Sequence, residues 1–469
     1  MSPRTVHPRT RKPASHASPR LTREERRAAG KALREKRPRV GHGDWTPSAR
    51  RRDPVALIIE SSRGRLPELV PIRYGRMLAS PFTFYRGAAN IMAADLATTP
   101  ATGITVQACG DCHLMNFGIF ATPERRVIFD INDFDETMPG PWEWDVKRLA
   151  ASMVLAARSN GFAGADQRDA AEACVRGYRE HMAEFAEMRA TEVWYSRIDT
   201  ETLAASFTDK TSVARFRKRL AKATSQSAAL DDFPKLAESQ GGRPVIKDNP
   251  PLIYHHQMLD TPKIRSNIEA AYADYRKTLP DDRRVLLDRY QVADFALKVV
   301  GVGSVGTICA VFLLMAAGDD PLFLQVKEAR RSVLAPSVAR GRYANDGQRI
   351  VEGQRLMQAA SDIFLGWTHG RSGRDFYIRQ LRDVKLKPMV EIFSRSTLAE
   401  YGAVCGWTLA RAHARSGDPA MIAGYLGSKD VFDKAVSKFA AAYADQAERD
   451  HAALAAAVRK GRIEVVLER

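Results

Sequence analysis

The spacing of hydrophobic positions changes character along the chain. From Trp144 to about residue 230 apolar residues return every three or four positions, as in Val146, Leu149, Ala150, Met153 and Val154, which predicts helices. Around Tyr290 the pattern shortens to strand-length apolar runs: Phe295-Ala-Leu-Lys-Val-Val, Thr307 to Met315, and Leu322-Phe-Leu-Gln-Val, with Gly318-Asp-Asp-Pro as the turn between the last two. A helix over 346–364 follows, then a hairpin with Arg371-Ser-Gly-Arg at its tip and 375–381 as its second strand. Helices over 396–416 and 429–459 end the chain. Upstream, 53–100 reads as helix broken by prolines, and 104–137 as strand and loop. There Ile104-Thr-Val-Gln-Ala alternates, and Pro123-Glu-Arg-Arg turns between Phe117-Gly-Ile-Phe and Val127-Ile-Phe-Asp-Ile. The Ser-, Gly- and Pro-rich stretch 225–252 predicts a loop. The fold class is α+β, with helical parts flanking a compact β-rich unit and no internal repeat.

Composition narrows this little: 469 residues at ~150 per domain allow two or three domains, and 45% apolar residues suffice for a large core. Charge is more informative once partitioned. Residues 1–52 hold 16 Lys/Arg against four Asp/Glu, a surplus of 12 in a total of +17, so the folded remainder carries only +5. The first 52 residues are expected to be a flexible basic tail that solubilises the chain, with contact to nucleic acid or acidic lipid as the lesser role. Five sparse cysteines suit reduced thiols; Cys109 and Cys112 have redox or zinc spacing but lack a second ligand pair. No apolar signal core follows the basic start, and the longest apolar run, Ile308 to Ala317, is about half the ~20 residues of a membrane span. A cytoplasmic protein is expected.

Two regions carry candidate chemistry. Gly110-Asp-Cys-His-Leu-Met-Asn116 places a carboxylate, an imidazole and a carboxamide on a loop between strands, and Asn132-Asp133-Phe134-Asp135-Glu136 is an acidic turn at the end of the next strand. Hard oxygen donors on neighbouring strand ends suit magnesium, which keeps water and phosphate oxygens in its other positions. Asp111 is then free to orient or deprotonate an attacking hydroxyl. Taken singly, each group is better read as a turn cap; the joint occurrence on two consecutive strand ends reverses that balance.

Farther on, Val300-Gly-Val-Gly-Ser-Val-Gly-Thr matches GxGxxG, and Lys327 lies 21 residues past the last of these glycines. One reading is a glycine flap over phosphates with Lys327 pairing their oxygens, and Glu352 on the following helix as partner for Lys327. The other is a Rossmann crossover, in which Gly306, Ala310, Leu313, Gly318 and Glu328 complete a dinucleotide fingerprint. The flap requires strand over 307–315 and the crossover requires helix. Thr307-Ile-Cys-Ala-Val-Phe is rich in strand formers and favours the flap. Arg86 is near enough in sequence to reach a phosphate, although anchoring an acidic helix end is the commoner role. His113 and His413 suit structural roles, and Trp142 and Trp144 the core.

Phe84-Tyr-Arg-Gly, Gly110-Asp-Cys-His-Leu-Met-Asn-Phe-Gly, Asn132-Asp-Phe-Asp-Glu-Thr, Trp142-Glu-Trp-Asp-Val-Lys-Arg-Leu, Gln325-Val-Lys-Glu-Ala and Leu409-Ala-Arg-Ala-His-Ala-Arg-Ser-Gly-Asp resemble the bacterial domain-of-unknown-function family 2252 over nearly everything from residue 20 onwards. The first two loops and Asp145-Val-Lys-Arg-Leu-Ala are also similar to the catalytic loop, metal motif and following helix of protein-kinase-like folds of the aminoglycoside and choline phosphotransferase type. That resemblance implies Asp111 as catalytic base and Asn116 and Asp133 as magnesium ligands, with Asp135 on a second metal and Asp130 as an alternative to Asp133. It also implies Gly301, Gly303, Ser304 and Gly306 over the phosphates of ATP, Lys327 on the α and β phosphates, and Glu352 orienting Lys327.

In those kinases the glycine loop and lysine precede the catalytic loop, whereas here they follow it, which implies a circular permutation. A two-lobed kinase-like fold with a large helical portion is expected. It comprises a helical lobe with the catalytic and metal loops (53–285), a β-rich nucleotide-binding lobe (286–390) and C-terminal helices (391–469) packing back beside residues 84–150. The expected function is ATP- and magnesium-dependent phosphoryl transfer to an unidentified hydroxyl-bearing acceptor. That acceptor is expected to bind among helices 145–260 and the C-terminal helices. A silent nucleotide-binding protein and an AMP-transferring enzyme of the same fold are the alternatives.

Overall fold

The computed structural model describes residues 21–467 apart from 225–232, 234, 257–260, 300, 318–319 and 382–383. Residues 1–20 of the expected tail, the first half of the expected 318–321 turn and part of the expected 225–252 loop lie outside the described residues. The architecture is mixed α+β.

Helix Trp142–Ser159 runs through the centre of the helical part, and every position from Trp142 to Ala157 is buried. A helix with a single apolar stripe would leave its polar side wet; this one is enclosed by helices Gly164–Glu187, Arg395–Ser416 and Val431–Arg459. Its charged residues are therefore inside, where each needs a partner. In front of it lie β1 (Thr105–Ala108), β2 (Phe117–Ala121), β3 (Val127–Ile131), β4 (Met138–Pro141) and β5 (Ile198–Asp199). β1 pairs with β4, and β2 with β3.

The second part is built on an antiparallel sheet. After the hairpin β6 (Ala237–Gln240) and β7 (Arg243–Ile246) come β8 (Ile253–Tyr254), β9 (Gln291–Lys298), β10 (Cys309–Ala316), β11 (Asp320–Ala329), β12 (Gly366–His369) and β13 (Asp375–Gln380). Six strands are ordered β12-β13-β11-β10-β9-β8, while β14 (Lys385–Leu386) joins the edge of β2. β10 is apolar throughout because both its faces are covered. Ala310, Phe312 and Leu314 join one core cluster with Tyr275 of helix Pro262–Lys277, and Val311 and Leu313 join another with Ala237 and Ile246. The strand over 309–316 removes the helix that a Rossmann crossover requires. The 225–252 stretch, expected as loop, supplies the β6–β7 hairpin that covers one sheet face. Helix Asp346–Met357 follows β11 and ends seven residues before the expected Phe364.

The amino-terminal stretch is packed from Thr22 onwards, which corrects the expectation of a free tail through residue 52. Thr22 caps helix Arg23–Lys36 through a reciprocal bond with Glu25. Arg34 donates to the carbonyls of Gly424 and Tyr425, and Arg39 to that of Leu426. They satisfy the end of helix Pro419–Leu426. Arg51 bridges Asp95 (2.8 Å) and Asp450 (2.6 Å). The arginines that made this stretch look like a solvated tail act as its anchors.

Candidate active site

Between the six-stranded sheet and the helical part lies a cavity of about 760 Å³, lined by Asp111, Asn116, Asp133, Asp135, Gly301, Gly303, Ser304 and Lys327 among others. Its volume suits a small organic ligand (~300–1,000 Å³).

The 109–116 loop is held from behind. Cys109 and Gly110 donate their amides to the carboxylate of Asp145, the latter at 2.9 Å, and His413 Nε2 contacts the same carboxylate at 3.1 Å. Gly110 has φ +82°, and a Cβ there would stand 2.4 Å from the carbonyl oxygen of Glu136, so only glycine lets the two loops meet. One turn further along the central helix, Arg148 grips Asp111 with Nε at 2.8 Å and with a closer second nitrogen, and donates to the carbonyl of Tyr85 at 3.1 Å. Burial raises the Asp111 carboxyl above its ordinary range, with Arg148 opposing. His113 is buried, and its Nδ1 accepts the Met115 amide at 3.2 Å. Burial, with Arg86 and Arg148, pushes its pKa well down, which leaves a neutral, structural imidazole.

The 132–136 loop converges on the same place. Asn116 donates through Nδ2 to the Asp111 carbonyl at 2.7 Å, and its own carbonyl accepts the Asn132 amide at 2.9 Å. Lys327, 4% exposed in the middle of the sheet, pairs with Asp135 at 2.7 Å. Tyr377, opposite Lys327 on β13, donates to the same carboxylate, as does Ser304 Oγ at 3.2 Å. Burial would raise the Asp135 carboxyl, but Lys327 and Tyr377 overcome it and hold it low; for Asp133, burial and the neighbouring Asp135 win and raise it.

Three expectations change. Asp130 is outside the cavity, in a fully buried ion pair with Arg411, and also accepts the Ala359 amide at 2.8 Å. Glu352 does not meet Lys327. It pairs with Arg355 at 3.3 Å, because Asp135 already occupies the lysine and the helix turns Arg349 toward the site, donating to the carbonyls of Asp135, Thr137 and Arg330. Gly306, with φ +84°, is at the root of the glycine segment, where its carbonyl accepts the Leu66 amide at 2.7 Å.

The cavity lining also differs from the expected acceptor pocket. Among the described residues the helices of 145–260 contribute Ala223 and the following stretch Lys235, and nothing after residue 390 lines the cavity; residues 61–90 do, through Arg65, Arg73 and Arg86. Asp145 and Arg148 were unassigned in the sequence, yet their i, i+3 spacing on one helix face is the signal that they act together. The cysteines are all buried free thiols. No described helix is long and apolar enough to cross a membrane.

In this cavity carboxylates of the helical part face a lysine and a glycine segment of the sheet. The chain belongs to the family described as an uncharacterised protein conserved in bacteria (DUF2252), which it matches over residues 65–457. No curated protein and no solved structure matches it.

Proposed function

We propose that the protein is an ATP- and magnesium-dependent phosphotransferase of two-lobed, kinase-like build, with its lobes exchanged in chain order. The reading rests on one relationship. Lys327 on β11 pairs with Asp135 inside the cavity that also holds Asp111, Asn116 and Asp133. Strand order supports it: the glycine segment joins β9 to β10, the lysine is on the next strand, and a helix follows, as in kinase phosphate-binding lobes. The permutation is supported where Ser416 Oγ, at the end of helix Arg395–Ser416, accepts the Gln107 amide at 3.1 Å. The helix thus ends beside the strand that leads into the 109–116 loop.

The donors suit magnesium. Asn116 and Asp133, with Asp135 for a second ion, line the cavity and offer hard oxygens. Such a set leaves coordination positions for phosphate and water. The bound ion would offset phosphate charge. Lys327 would exchange Asp135 for the α and β phosphates, the glycine segment would lie over them, and Asp111, fixed by Arg148, would align the acceptor hydroxyl and take its proton.

Purified protein incubated with γ-labelled ATP, magnesium, and hydroxylated metabolites, antibiotics or cell lysate should transfer label, and Asp111→Asn should abolish the transfer. Folded Asp133→Ala or Lys327→Ala variants that consume ATP at the parental rate would overturn the assignment. Label moving from the α position instead identifies AMP transfer.

A further inference from the structure

Four arginines gather at one end of the cavity, and three of them are committed. Arg65 donates to the carbonyls of Ser61 and Val305, Arg73 to Ser61, Ser62 and the Gly87 carbonyl, and Arg330 to the carbonyls of Ser61 and Arg63. Arg86 is different. Its Nε is buried without a hydrogen-bond partner, and its guanidinium lies 5.9 Å from the centre of the Phe82 ring.

The position of Arg86 is also distinctive. Its backbone carbonyl lies 3.7 Å from where a Cβ on Gly303 would stand, which sets it beside the tip of the glycine segment. Asp111 lines the same cavity, and its charge partly offsets the lowering of the Arg86 pKa by burial. A half-buried guanidinium without a carboxylate bonded to it is costly unless an anion completes it.

We infer that Arg86 is a further catalytic residue, which grips the phosphoryl group during its transfer between the glycine segment and Asp111. The inference rests on the phosphotransferase reading. In that step the bond between the γ phosphorus and the β–γ bridging oxygen breaks, and a bond from the acceptor oxygen to the γ phosphorus forms. The acceptor proton passes to Asp111 and ADP leaves with the bridging electrons. Charge spreads over the three remaining oxygens of the group in flight, where a preorganised bidentate donor acts most strongly.

The test uses the full-length protein titrated with MgADP alone and with MgADP plus aluminium fluoride, a mimic of the phosphoryl group in transfer, without any acceptor. The parent should bind the fluoride complex more tightly than MgADP. Arg86→Ala should keep MgADP affinity within about threefold and weaken the fluoride complex on the order of 100-fold, with Arg86→Lys intermediate. Unchanged circular dichroism establishes that each variant is folded. Equal tightening by fluoride in parent and Arg86→Ala would overturn the role of Arg86 while leaving the phosphotransferase reading intact. Equal weakening of both complexes would make Arg86 a nucleotide-binding residue and overturn it as well. If the parent binds no MgADP, the phosphotransferase reading fails and the inference with it.

Discussion

Lys327 and Asp135, 192 residues apart in the chain, form an ion pair at 2.7 Å inside the cavity between the sheet and the helical part. In the proposed mechanism nucleotide and cation would draw the pair apart; Tyr377 and Ser304 each donate to Asp135 and orient its carboxylate in advance. Lys327→Met should leave the fold intact and lower phosphoryl transfer on the order of 100-fold or more, measured by label released from γ-labelled ATP.

Asp145 does not touch the cavity, yet it holds two amides of the 109–116 loop and one face of His413. Removing a buried acceptor of this kind strands its donors. Asp145→Ala should destabilise the protein by about 3–5 kcal/mol in urea denaturation and abolish transfer, although the residue does not line the cavity.

Gly110→Ala tests the meeting of the two loops. The substitution must adopt a positive φ and also displace the Glu136 carbonyl. A loss of about 1–3 kcal/mol in stability, together with loss of nucleotide-dependent thermal stabilisation, is expected.

Glu352→Gln separates the sequence expectation from the observed geometry. Because Glu352 pairs with Arg355 and leaves Lys327 to Asp135, the variant should bind MgATP and transfer label within about threefold of the parent. A loss as severe as that of Lys327→Met would mean that the helix rotates in catalysis.

The packed amino-terminal stretch predicts a pH effect. His42 is 1% exposed, bonded through Nε2 to Tyr425 at 2.7 Å, and burial pushes its pKa down to about 3. With the folded value below the unfolded one of ~6.5, the unfolded chain binds the extra proton first. Stability from this group is therefore complete above pH 6.5 and falls as pH drops toward 3, by about 1.4 kcal/mol per pH unit. Urea midpoints at pH 7 and pH 5 should show the parent losing about 2 kcal/mol more than His42→Gln. Equal losses would mean that the stretch is undocked.

Much of this architecture was legible because it depends on short-range pattern. Strand-length apolar runs marked β9 to β11, and Asp111, Asn116, Asp133 and Lys327 stood out as polar groups at strand ends. What stayed hidden depends on tertiary partners. Nothing local states that Asp130 would be consumed by Arg411, or that Asp135 rather than Glu352 would pair with Lys327. Arg34, Arg39 and Arg51 looked like solvated charge because their acceptors are far along the chain: helix-end carbonyls 391 and 387 residues away for Arg34 and Arg39, and Asp95 and Asp450, 44 and 399 residues away, for Arg51. The Arg148 grip on Asp111 was readable only once Asp145 was seen to anchor the loop in front of it.

In the proposed mechanism one cleft takes its cation ligands from the helical part and its phosphate-binding lysine from the sheet. Calorimetric titration of the parent, Lys327→Ala and Asp133→Ala with MgATP tests it most directly. Saturable binding by the parent, weakened at least tenfold by either substitution, is the predicted result. Absence of binding by the parent, or equal binding by all three folded proteins, would contradict it.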